Sequence, residues 1–380
     1  MLEYERIAAR APGLLHGEQI LPQHAQRFVV HWLVGTISDV TGAPLHATYR
    51  VAAVIVLVLI ALVVDRILAA REVGPSTYAV CMGALVTSPY LFRFDLIAPG
   101  MIADATFALG AALTLLGLVR GRFGSTAAGL AIAAVSRGDT TSGLVIVVVA
   151  WVLLGPEWRL GRTAGRRVAE AVGLAAVAIA AGAATYAVGD GFSKQGDVHG
   201  FRSFTLVGTL LDLPGSARGL GEHVVRIWVG VAPPLALVAG ALVVAAATGR
   251  LRAFSFAAWA SLAFGLVVLA ETFVINPGWL QGSEPRLASF GLAPLVAAAG
   301  LLLGELEEAG TWRWSGAATA VVLLGVAIGS LHHNYVEPRI VTTAGAFFAL
   351  ELVATAVILA PFVRSATARR RDARESPACA

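Results

Sequence analysis

Eleven apolar runs, none of which alternates apolar with polar residues, are spaced along this chain of 380 residues. They lie at about 47–65, 77–92, 99–119, 124–136, 140–154, 169–188, 226–248, 254–275, 288–304, 315–332 and 341–363. In hydrocarbon every backbone N–H and C=O must find a partner within its own segment or a closed barrel, and barrel strands alternate lipid-facing with lumen-facing residues. Unalternating runs of this length can therefore only be helices. The composition agrees: 57% of residues are hydrophobic and 14% charged, against roughly 25% charged in a soluble domain. The expected fold class is an all-α, polytopic integral membrane protein with about eleven transmembrane helices. The runs at 77, 124 and 140 fall short of the ~20 residues that cross a bilayer core, so they borrow flanking residues or stop inside a cavity.

Arginine supplies an independent test of orientation, because cytoplasmic loops are rich in it. With the C-terminal tail placed inside, alternation puts on that same side Arg66 and Arg71, Arg120 and Arg122, Arg159, Arg162, Arg166 and Arg167, Arg250 and Arg252, and Arg313. With tail residues Arg364, Arg369, Arg370, Arg371 and Arg374, this side holds sixteen of the 28 Lys and Arg residues. The expected organisation is an extracytoplasmic segment 1–46, a transmembrane domain 47–363 with an outer loop at 189–225, and a basic cytoplasmic tail 364–380. Residues 1–46 then stand outside with no span before them, which predicts a further helix upstream and about twelve in all. The basic clusters read as topology signals rather than a nucleic-acid surface.

Between Gln23 and Val40, Arg27 and His31 share one helical stripe, and Phe28 and Trp32 with Val29 and Leu33 form the opposing surface. Too short and polar to span, this segment is expected to lie in the interface plane on the outer side, or to pack as a partly buried loop helix. The outer loop 189–225 carries Asp190, Lys194, Asp197, His199, Arg202 and Asp212.

The same alternation collects ionisable residues at the outer helix ends: Arg93, Asp95 and Asp104, Arg137 and Asp139, Glu271, Glu284 and Arg286. Charges close to a membrane are costly unless they face water or one another, so a polar cavity open to the outer side is expected, chiefly from Asp104 and Glu271. Glu351, in the last run, reads as a helix-packing carboxylate. Cys81 and Cys379 form no disulfide framework, and neither a phosphate loop, a metal-binding histidine pair nor a nucleophile elbow is present; His332 and His333 point to different helical faces.

In order along the chain stand YERIA (Tyr4 to Ala8), QHAQRFVVHWLVG (Gln23 to Gly35), ATYRVAAVIVLVLIALVV (Ala47 to Val64), SPYLFRFDLIAPGMIADATFALGAALTLLGLVRGR with Pro99 and Asp104, LAIAAVSRGDTT, and SEPRLASFGLAPLVAAAGLLL. This succession resembles the GT-C superfamily of membrane glycosyltransferases, which use polyprenyl-phosphate sugars at the outer membrane face. The resemblance implies transfer of a sugar from such a donor to an envelope glycan, lipid or protein acceptor in a bacterial plasma membrane. It implies a carboxylate that deprotonates the acceptor, with Glu3, Glu5, Asp95 and Asp104 as candidates, since the family's acid stands where this chain begins. It implies arginines on the donor phosphate, here Arg93 and Arg286, a cavity lined by Arg137, Asp139, His199 and Glu271, an apolar groove for the lipid tail, and a divalent cation (Mg or Mn) as a conceivable helper without a visible ligand set.

Two other classes share the helix count. A transporter or lipid flippase would show an internal repeat and midplane polar residues; no clear repeat relates the halves of this chain. A non-catalytic scaffold or partner subunit would need no acid.

Overall fold

A computed structural model of the chain describes residues 3–15, 20–193, 217–274, 284–331 and 344–375. Those residues form helices α1 (Glu3–Arg10), α2 (Pro22–Ala25), α3 (Phe28–Thr41), α4 (Leu45–Ala69), α5 (Pro75–Val86), α6 (Phe94–Ile97), α7 (Ile102–Val119), α8 (Phe123–Ser136) and α9 (Gly138–Leu154). They continue with α10 (Pro156–Arg159), α11 (Ala164–Asp190), α12 (Ala217–Ala247), α13 (Phe256–Val274), α14 (Glu284–Ala288), α15 (Leu292–Glu308), α16 (Gly316–Ser330) and α17 (Ala344–Glu375). Among the described residues, each of the eleven apolar runs falls mainly on a helix. Among the described residues, seven helices are long and apolar enough to cross a membrane, and the runs at 124, 140, 254 and 315 form shorter apolar ones. The protein is an all-α polytopic membrane protein.

α7 and α15 are its axis. Their spanning stretches are 89% and 94% buried, whereas those of α4, α11 and α17 are 33%, 22% and 22% buried and turn apolar side chains outward. With no hydrophobic drive between helices in lipid, close approach depends on small residues. α7 and α8 meet through Gly110, where a Cβ would stand 2.5 Å from the Ala133 nitrogen, and through Gly117 and Gly129.

The arginine-bearing turns gather at one end of this bundle. Arg120 donates to the Arg66 carbonyl (3.0 Å), Arg71 pairs with Glu157 (3.1 Å), Trp158 donates to the Leu118 carbonyl (3.1 Å), and Arg162 donates to the Gly121 carbonyl (2.7 Å). Cations on the last carbonyls of a helix satisfy orphan acceptors and oppose the negative end of the helix dipole. Glu305 of α15 accepts from the Ser255 amide (2.8 Å) just past Arg250 and Arg252, and Trp312 stacks on Phe362 of α17 (4.5 Å), which brings the remaining basic turns to this end.

At the opposite end α8 and α9 are too short to keep pace with their neighbours. Fourteen residues of α8 rise only about 21 Å, against about 30 Å of hydrocarbon. They meet at Arg137, whose φ of −153° and ψ of 83° break the helix. The recess that the shortfall makes at these helix ends is filled: residues 3–15 and 20–41 pack over it, and Asp95, Asp104 and Arg137 are buried there. This cover has apolar clusters of its own, one of Tyr4, Ile7, Leu15, Ile20, Phe28 and Phe192, the other joining Ala8, Val30 and Val34 to Tyr49 and Ile102.

Two sequence expectations are revised, the orientation of α3 and the extent of the loop after α11. In α3 the buried stripe is Phe28, His31, Val34 and Gly35, while Leu33, Ile37 and Val40 are exposed, so His31 faces inward rather than away. One ring nitrogen has a partner: His31 Nδ1 lies 2.9 Å from the Tyr49 hydroxyl, and the ring stacks on Tyr4, while Nε2 is buried without a hydrogen bond among the described residues. α12 begins at Ala217, inside the loop expected at 189–225, and α17 continues to Glu375, so most of the basic tail is helical.

Candidate functional site

The recess is built around Asp104, in the first turn of α7. Arg137, at the break between α8 and α9, donates from Nη1 to Asp104 Oδ1 at 2.8 Å, with both side chains nearly sealed (3% and 4% exposed). Arg286 arrives from α14 with Nε 3.5 Å from Asp104 Oδ2, and keeps 15% of its side chain exposed. Each guanidinium also rests on an aromatic face, Arg137 over Phe290 (4.7 Å) and Arg286 over Phe94 (5.8 Å). Such stacking is a reason for arginine rather than lysine here, since the planar group can pair and stack together. Asp95, on α6, is buried within electrostatic reach of Asp104 and Arg286.

A π-helical turn at Pro89–Arg93 precedes α6 and sets these directions. It sends Arg93 away from the recess, to the Ser330 carbonyl at 2.5 Å, where it caps α16. The two expected phosphate arginines are thus separated. Arg286 joins the Asp104 cluster and Arg93 does not.

The cover adds a second layer. Glu3 Oε2 accepts from His24 Nδ1 at 2.6 Å and from the Leu21 amide at 3.1 Å. Tyr4 stacks on His31 (4.2 Å) and tilts against His24 (4.5 Å), and Arg27 donates to the Tyr4 hydroxyl at 3.4 Å. Arg27 also bears electrostatically on Asp104, and Arg286 on His24, so the cover and the recess form one electrostatic unit. Burial pushes His31 down to about 3, with Asp104 opposing the shift and Arg27 and His24 adding to it. Burial likewise lowers His24, against the pull of Glu3. Glu5, half-buried on α1, acts electrostatically on Tyr49 rather than on Asp104.

On the far face of α14, Glu284 stands 3.7 Å from His223 Nδ1 and 3.6 Å from Arg226 Nη1, tying α14 to α12, and Gly230 lets α12 close against the Pro285 carbonyl. Glu351 packs beside Gly329 of α16. Asp139 and Glu271 lie in α9 and α13, with side chains outside the described set; His199, His332 and His333 fall outside the described residues.

The structure thus brings together Asp104, Arg137, Arg286 and Asp95 and sets Glu3 above them. Sequence reasoning missed His24, Tyr4 and Tyr49. One signal was available: His24, Arg27 and His31 recur at spacings of three and four, which puts them on one helical stripe. Neither a family model, a curated protein nor a solved structure matches the chain.

Proposed function

We propose that this protein is a membrane glycosyltransferase that moves a sugar from a polyprenyl-phosphate donor to an envelope glycan, lipid or protein acceptor. The observation that carries the reading is the buried pairing of Asp104 with Arg137 and Arg286, at the end of the bundle remote from the arginine-rich turns. On this reading those turns face the cytoplasm with the C-terminus, about eleven helices cross a bacterial plasma membrane, and the Asp104 cluster with its cover lies on the outer side. α3 then lies in the interface plane, with exposed Leu33, Ile37 and Val40 directed at lipid.

The chemistry asks for cations where the departing phosphate gathers charge. Arg286, still partly accessible, offers a planar fork to phosphate oxygens, and Arg137 stands behind it. Asp104 has each oxygen turned to a guanidinium, which suits it to hold the arginines in place more than to take a proton. Asp95 is sealed at 1% exposure. Glu3, 23% exposed, keeps more of its carboxylate accessible than Asp104 or Asp95 and is paired with His24. Asp104 gives one oxygen to a hydrogen bond from Arg137 and turns the other toward Arg286, and among the described residues no group of three or more His, Cys, Asp or Glu could hold a divalent ion. The donor set does not suit a metal here, and the phosphate charge falls to arginine.

Purified protein in lipid, supplied with a polyprenyl-phosphate sugar, should release polyprenyl phosphate, and Arg286→Gln should abolish release. No turnover across hexose and pentose donors would move the assignment to a carrier or a non-catalytic partner subunit.

A further inference from the structure

We infer that His24, oriented by Glu3, is the general base that receives the acceptor's hydroxyl proton. The inference rests on the glycosyl-transfer reading above and names a residue for its proton transfer.

The geometry is that of a carboxylate–imidazole pair. A carboxylate only accepts, so the 2.6 Å contact requires the proton on Nδ1 and fixes the neutral ring as the tautomer with a lone pair on Nε2. Glu3 Oε2 takes the Leu21 amide as well, which anchors the pair to the backbone. Nε2 makes no hydrogen bond with the described residues, and the ring is 28% exposed, against 3% and 4% for Arg137 and Asp104. Of the groups at this end, His24 therefore combines a fixed orientation with an open acceptor atom.

Among the described residues, the charged and titratable groups that bear on it are Glu3 and Tyr4 of α1, Arg27 after α2, His31 of α3 and Arg286 of α14; α11 closes on α2 at Gly189, beside Asp190. Burial and the two arginines keep the ring neutral near pH 7, ready to accept, while Glu3 stabilises the imidazolium once formed. The Arg286 field also couples the base to the proposed phosphate site. As the acceptor oxygen bonds to the anomeric carbon, the bond from that carbon to the phosphate oxygen breaks and its electron pair leaves on the polyprenyl phosphate. The hydroxyl proton passes to Nε2 and from there to water. Glu3 acts through His24 and is a positioning residue.

The test uses the full chain in nanodiscs, with polyprenyl-phosphate mannose, glucose and arabinose as probes and envelope extract supplying acceptors, and reads polyprenyl phosphate released from pH 4 to 8. Wild type should rise with pH through an inflection below 6.5. His24→Gln should lower release by about 100-fold and remove the inflection. His24→Gly should regain release with added imidazole, which a structural role does not predict. Glu3→Gln should move the inflection to lower pH, and ¹⁵N spectra of labelled histidine should show Nδ1 protonated in wild type and a mixed tautomer in that variant. An active wild type whose His24→Gln variant keeps release within about threefold overturns His24 as the base and leaves the transferase reading intact. A wild type that releases nothing from any donor overturns that reading, and this inference with it.

Discussion

Asp104 and Arg137 meet at 2.8 Å although 33 residues separate them, and the pair is almost wholly withdrawn from solvent. The two residues come from the start of α7 and the end of α8, whose glycine-lined contact brings the ends together. Breaking one half of such a pair leaves a buried charge, which destabilises by roughly 3–5 kcal/mol, whereas removing both is far milder. Because Asp104 also faces Arg286, Asp104→Asn takes the carboxylate from both arginines and should lower the thermal unfolding temperature in detergent more than the double variant Asp104→Asn/Arg137→Met, which leaves only the partly exposed Arg286. A double variant less stable than the single would show that the pair is not the source.

Stability should also depend on His31. Its folded value, near 3, lies below the ordinary 6.5, because the ring is buried as the neutral form. Between those two values the unfolded chain binds a proton that the folded chain refuses. Stability is thus fully present above about pH 6.5 and is lost as pH falls toward 3, at about 1.4 kcal/mol per pH unit. His24 contributes in the same direction. Unfolding of wild type between pH 4 and 8 should show this slope, and His31→Asn should flatten it.

The cover depends on one glycine. At Gly35 the Ala8 carbonyl occupies the place a Cβ would take, so α1 crosses α3 at backbone distance. Gly35→Ala must push α1 outward and loosen the Glu3–His24 pair. Hydrogen exchange of residues 3–10 should quicken by at least tenfold while α7 is unchanged; unchanged exchange at α1 would refute the crossing.

Sidedness is open to labelling. Leu14 on the cover and Leu160 in an arginine-rich turn are 40% and 79% exposed. In a background with Cys81 and Cys379 replaced, an impermeant maleimide added to intact cells should label Leu14→Cys and spare Leu160→Cys. The reverse pattern would put the recess in the cytoplasm and end the proposed use of an outer-face donor.

Helix content and the membrane setting were readable directly, because the cost of an unsatisfied amide in hydrocarbon is paid residue by residue and leaves an unbroken apolar run as its signature. The gathering of Asp104 with Arg286 at the end remote from the arginine-rich turns was readable too, since alternation along a bundle needs only helix order. Arg93 was not. Its direction follows from a π-helical turn over Pro89–Arg93, whose wider i→i+5 bonding departs from the α-helical register, and no apolar periodicity records so local a change.

His24 and His31 lay further from reach. A histidine on a short polar helix reads as solvated until something is known to cover it, and what covers these two is Tyr4, Glu3 and Tyr49, brought in from separate stretches of chain. Patterns along one strand of sequence report the solvent each helix face prefers, which settled the class of protein and the ends to which its charges belong. Which acid meets which base depends on crossings such as Gly110 with Ala133 and Gly35 with Ala8, and those distances exist only once the helices are packed.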